Sequence, residues 1–184
     1  MTRLVALLRA VNVGRTGKLP MEALRARAEE IGATNVSTFI ASGNLLCDTR
    51  KTPAAFARAL EAALLAQDGL DTLVVTRTPE EIAHVAAHHA FADRAEPGPC
   101  LHVAFLDAAP APKSIEKIDP SRSPGDEVAL RGRELHLFLP NGAGPSKLDM
   151  KYLERCLGVR GTMRNQRTVV KLAALAARSP SPRG

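Results

Sequence analysis

The sequence predicts an α+β protein built from two β-α-β-β-α-β units in tandem. Three observations predict it. Short apolar runs alternate with stretches of helical spacing, and this order occurs twice. Hairpin signals stand at Ser42-Gly43 and at Gly132-Arg133. A breaker, Ala95-Glu96-Pro97-Gly98-Pro99, separates the repeats. The repeat is one of architecture and not of residues.

Leu4 to Val11 is apolar on both faces except at Arg9, as a central strand requires. Asn12 to Lys18 is a loop by its two glycines, and Pro20 opens a helix with Met21, Leu24, Ala28 and Ile31 on one stripe. Strands over 36–40 and 44–47 flank the first hairpin. Thr52-Pro53 opens a second helix, with Phe56, Leu60 and Leu64 inward and Gly69 at its end. A strand over 72–76 completes the first unit. Thr78-Pro79-Glu80-Glu81 has a capping-box pattern and opens a connecting helix. The second unit follows with a strand over 101–106, a short helix over 112–118, and a hairpin of 127–130 with 134–139. In that hairpin Val128 faces Leu137 and Leu130 faces Leu135. Ser146 is then expected to cap a helix carrying Met150, Leu153 and Leu157, followed by a strand over 159–163 and a helix over 165–177. The expected domains are 1–78 and 79–178, with a tail over 179–184. Each half reads as a ferredoxin-like plait. Neither half buries much surface alone, so the two are expected to pack as one unit.

Composition bounds the function. The chain has 184 residues, a net charge of +6 and three scattered cysteines without a Cys-x-x-Cys, which suggests a reducing cytoplasm. No apolar run of about 18 residues is present to cross a membrane.

In a plait the first strand lies between the third and fourth, antiparallel to both. Asn12 and Gly14 should therefore fall near Ser42, Gly43 and Asn44. In the second half, Ser146-Lys147 and Arg164-Asn165 should share one edge, each pair at a helix start. Helix starts offer free N–H groups, and a cation beside them suits an anion. The expectation is a basic cleft between the plaits, lined by Arg9, Asn12, Asn44, Ser146, Lys147, Arg164 and Asn165. Several of these residues also have a plain role, although capping does not call for a cation at Lys147 or Arg164. Ser146 and Asn165 suit helix caps, Ser42-Gly43-Asn44 suits a turn, and Arg9 needs a carboxylate such as Asp48 if no ligand meets it.

These motifs resemble the bacterial family called domain of unknown function 1697. Its members typically begin with a strand ending Leu-Leu-Arg-Gly-Ile-Asn-Val-Gly, matched by residues 7–14 with Ala10 for the usual glycine. Its Ser-Gly-Asn stands at Ser42-Gly43-Asn44 and its Ser-Lys-Leu at Ser146-Lys147-Leu148. Its Thr-x-Arg-Asn-Trp-x-Thr-x-x-Lys-Leu stands at Thr162 to Leu172, with Gln166 for the tryptophan and Lys171 as the lysine. The resemblance implies paired alpha-beta plaits and a residue set, not a reaction.

Other signals are set aside. The glycines of 14–18 lack the remaining positions of a P-loop. His84 and His88 share a helix face without the glutamate of a zincin, and His89 falls on the apolar stripe, so no metal is expected. In the first unit neither of the strands that would stack bases carries an aromatic, and aromatics are 3% of the chain, which argues against sheet-face RNA binding while leaving a phosphate backbone open. No nucleophile has a clear base, and no cofactor is implied. The sequence thus points to a cytosolic binder, or an enzyme of unknown reaction, for a small phosphate- or carboxylate-bearing anion such as a nucleotide. A nucleic-acid-associated protein and an interaction module without a ligand are the alternatives.

Overall fold

In a computed structural model the chain is described over residues 1–12, 18–94 and 98–178. It is an α+β protein with two four-stranded antiparallel sheets. Two compact units separate, Met1–Ala83 with the chain from Leu172 onward, and His84–Lys171. The tail at 179–184, and most of the glycine loop that prompts the P-loop comparison, lie outside the described residues.

The first unit has strands β1 (Thr2–Leu8), β2 (Thr34–Thr38), β3 (Asn44–Thr49) and β4 (Val74–Arg77), in the spatial order β2-β3-β1-β4. Every residue of β1 from Leu4 to Leu8 is buried, which accounts for its unbroken apolar run. Leu7 pairs with Asn44, so the end of β1 meets the start of β3. Helices α1 (Met21–Glu30) and α2 (Pro53–Asp68) pack Leu24, Ala28, Phe56, Leu60 and Leu64 against Leu4, Ala6 and Leu8. The Thr52 hydroxyl accepts the Ala55 N–H at 3.3 Å, and Gly69 closes α2 at φ 62°. Helix α3 (Pro79–Ala87) opens with a reciprocal capping box. Glu81 N–H donates to the Thr78 hydroxyl at 3.3 Å, and Thr78 N–H donates to the Glu81 carboxylate at 2.8 Å.

The second unit has β5 (Leu101–Leu106), β6 (Glu127–Arg131), β7 (Glu134–Phe138) and β8 (Gly161–Asn165), in the order β6-β7-β5-β8. Val128 pairs with Leu137 and Leu130 with Leu135 across the hairpin. Two 3-10 turns, Pro112–Lys117 and Pro120–Arg122, stand where the sequence suggests one short helix. Helix α4 (Met150–Leu157) buries Tyr152, Leu153, Cys156 and Leu157. Helix α5 (Gln166–Ala176) follows β8 directly.

Two expectations are corrected here. Ser146 does not cap α4. The carboxylate of Asp149 does, accepting the Tyr152 N–H at 2.8 Å, while Leu148 is buried in the core and holds the preceding segment out of the helix. The strand expected over 159–163 lies at 161–165, because Arg164 pairs with Val103 and Asn165 with His102 of β5. Arg164 is thus a strand residue rather than a helix-start residue.

Candidate functional site

In the first unit the sequence motifs meet at the end of β1 and the turn into β3. Ala10, Asn12 and Ile40 all adopt left-handed backbone, at φ 53°, 56° and 51°. Only glycine does this without cost, and a β-branched residue such as Ile40 does so rarely. The Asn12 amide ties the strained segments together, donating to Ala41 O at 2.7 Å and Leu19 O at 2.9 Å while accepting the Leu19 N–H at 2.9 Å. Gly43, at φ 75°, lets β1 come close, since a Cβ there would stand 2.8 Å from the Leu8 Cβ. Asn44 is fully buried, its amide donating to Phe39 O and the Ser42 hydroxyl, both at 3.0 Å. Both asparagines therefore have amides committed to partners within the junction. Arg9 is half-buried just past β1, with its N–H bonded to Leu73 O. Asp48, its candidate partner from sequence, is bound instead by Arg3 at 3.2 Å and Asn35 at 2.7 Å, because Arg3 is the residue opposite Asp48 in the sheet. Gly14 lies outside the described residues.

Beside this junction is a cavity of about 460 Å³, lined by Asn12, Lys18, Leu19, Pro20, Met21 and Ala41. It stands at the start of α1, where Pro20 supplies no side-chain cap. The first-turn N–H groups of α1 add a positive partial charge near Lys18.

In the second unit a different network forms around Asp126, a residue the sequence reading did not single out. The hydroxyls of Ser123 and Ser146 both donate to Asp126 Oδ2 at 2.6 Å. Ser146 Oγ in turn accepts the Leu148 N–H at 3.1 Å, and Ser123 Oγ accepts the Lys147 N–H at 3.3 Å. Lys147 O accepts Arg122 Nε–H at 3.0 Å. The Lys147 side chain is exposed. Arg164, by contrast, is 8% exposed and donates to the Thr162 hydroxyl at 2.7 Å and Met163 O at 2.9 Å. Burial pushes its guanidinium down to about 10. Asn165 accepts the Arg167 N–H at 2.9 Å and donates to Gly98 O at 2.8 Å, so it caps α5 and anchors a loop. Lys171 is exposed on α5.

The histidines form a packed cluster. His89 donates from Nε2 to His102 O at 3.0 Å and accepts the Phe91 N–H at Nδ1, which fixes a neutral tautomer. His136 stands edge-on to it at 4.8 Å. Burial is the largest cause pushing all three of His89, His102 and His136 down, the last to about 4. Among the described residues no three His, Cys, Asp or Glu side chains gather as a metal site. Cys47 and Cys156 are buried, and burial pushes the Cys47 thiol up to about 12. No helix among the described residues is long and apolar enough to cross a membrane.

A family model described as a protein of unknown function, DUF1697, matches residues 1–136. The chain belongs to the DUF1697 family. The matched segment carries the first-unit motifs and ends before Ser146. A solved structure of a conserved bacterial protein from Streptococcus pneumoniae is similar in fold, with a TM-score of 0.70 at 19% identity over 95% of this chain and 98% of that one. No curated protein matches the chain. Two departures from the DUF1697 motifs now have a setting. Ala10, in place of glycine, is one of the left-handed residues. Gln166, in place of tryptophan, is 2% exposed and donates to Ala86 O at 3.0 Å, so the position belongs to the interior and not to a stacking surface.

Proposed function

We propose that this DUF1697 protein binds a small anionic ligand, phosphate- or carboxylate-bearing, in the cavity of its first unit. We read each sheet with its helices as a ferredoxin-like plait, a reading supported by the central place of β1 and β5 between antiparallel neighbours.

One observation carries the proposal: the cavity of about 460 Å³ joins Lys18, the uncapped start of α1 and the Asn12-held loop. Its volume suits a small molecule. Backbone strain at Ala10, Asn12 and Ile40 beside it supports the same reading, since strained backbone clusters at binding sites. Asn12 acts here as a positioning residue, because its amide is occupied by backbone partners. Glu22, exposed in the first turn of α1, complements the helix dipole in the free protein and opposes a second anion there.

The test is a thermal-shift screen with nucleotides, sugar phosphates and carboxylates on the full chain. A ligand is expected to raise the melting temperature of the wild type. The rise should vanish in Lys18→Ala and grow in Glu22→Gln, while the ligand-free melting temperatures stay close to wild type. A rise that is the same in all three proteins, or no rise with any compound, sinks the reading.

A further inference from the structure

The second unit holds a cluster of cations of its own. Arg122 and Arg155 lie over the same ring, that of Tyr152, at 4.2 and 5.5 Å from its centroid. The two guanidiniums are thus held within about one Debye length of each other at ordinary salt. Lys147 joins them through its carbonyl, which accepts from Arg122. Lys151 is on α4 one turn before Arg155. All four side chains are exposed, and none forms an ion pair among the described residues.

Carboxylates are close at hand but engaged otherwise. Asp126 takes the two serine hydroxyls, Asp149 takes the Tyr152 N–H, and Asp119 takes the hydroxyl and N–H of Ser121. These hydrogen bonds leave the acids charged, and Asp119 attracts Arg122 through space, yet none of the acids closes an ion pair with the four cations among the described residues. We propose that this face, Arg122, Lys147, Lys151 and Arg155 around Tyr152, is a docking surface for the phosphate backbone of a nucleic acid. The cations are spread over an exposed helix and the loops beside it, an arrangement that suits repeated phosphates rather than one enclosed anion. Tyr152 is 8% exposed and its ring is covered by Arg122, so it cannot stack a base. Recognition is therefore of the backbone, insensitive to base sequence and sensitive to salt.

The test is fluorescence anisotropy of the full chain with labelled mixed-sequence RNA and DNA of about 20 nucleotides, single-stranded and duplex, over a salt series. Lys147→Gln/Lys151→Gln is the main variant, since neither side chain makes a hydrogen bond among the described residues. The control, Arg50→Gln/Lys51→Gln, removes the same charge from the first unit, where both residues are exposed. Binding is expected to weaken roughly fivefold to tenfold for each cation lost, with the slope of log affinity on log salt falling by about 1 per cation. The control should keep the wild-type slope. No binding at low salt overturns the proposal. So does an equal loss in the control, which would make the effect one of net charge alone, or equal affinity for inorganic tripolyphosphate, which would make the surface a small-anion site.

Discussion

The two units treat similar polar motifs in opposite ways. In the first, Asn12 and Asn44 turn inward and satisfy the backbone of a strained junction, and a cavity is left beside them. In the second, Ser146 and Ser123 turn toward Asp126, and the cations nearby are left outward. The contrast teaches that a polar residue in a loop motif says little until its hydrogen bonds are counted. Asn12 has a full set of backbone partners at Leu19 and Ala41, whereas Lys147 contributes its N–H and carbonyl to the network and keeps its ammonium for solvent.

The comparison can be broken most sharply at Gly43. A side chain there meets the Leu8 Cβ at 2.8 Å and the Val11 Cβ at 3.2 Å, on a left-handed backbone. Gly43→Val should destabilise by about 3 kcal/mol or more in denaturant titration, because both strain and overpacking apply. A loss below 1 kcal/mol would show that the junction is soft.

The second unit is sharpened by pH. His136 is held neutral, chiefly by burial, with its pKa pushed down from 6.5 to about 4. Unfolding restores the ordinary value, so the unfolded chain takes up its proton first as pH falls. Stability on this account is full above about 6.5 and is lost between there and about 4. The expected loss is on the order of 2 kcal/mol, with His89 and His102 adding in the same direction. A denaturant midpoint that does not fall between these limits would contradict the neutral cluster.

The smallest effect belongs to Ala10. Its φ of 53° suits glycine, so Ala10→Gly should stabilise the first unit by about 1 kcal/mol in spite of the added chain entropy. A destabilised variant would mean that the Ala10 methyl packs better than its backbone suggests.

What the sequence made legible was mostly local. Thr52 before Pro53, the Thr78–Glu81 box and Gly69 each declare a helix boundary within four residues, and the structure has each bond. The Val128–Leu137 register follows from a two-residue turn. The start of α4 was harder, since Ser146 and Asp149 are both capping types, and burial of Leu148 decides between them. Non-local pairings were out of reach. Asp126 is 20 residues from Ser146, and Arg122 is 30 from Tyr152, so no spacing rule links them. The partner of Asp48 depended on strand register, which put Arg3 and not Arg9 opposite it.

The division of the chain has a consequence for its synthesis. The first unit includes residues from Leu172 onward, in the second half of α5, where Leu172 is fully buried and Ala176 nearly so. A ribosome releases β1 through α3 long before it reaches that helix. The unit made first is therefore completed last, after the whole of the second has been translated. Nascent chains stalled before residue 172 should hold an unfinished first unit beside a fully translated second one, an inversion of the usual order in which amino-terminal domains are complete first.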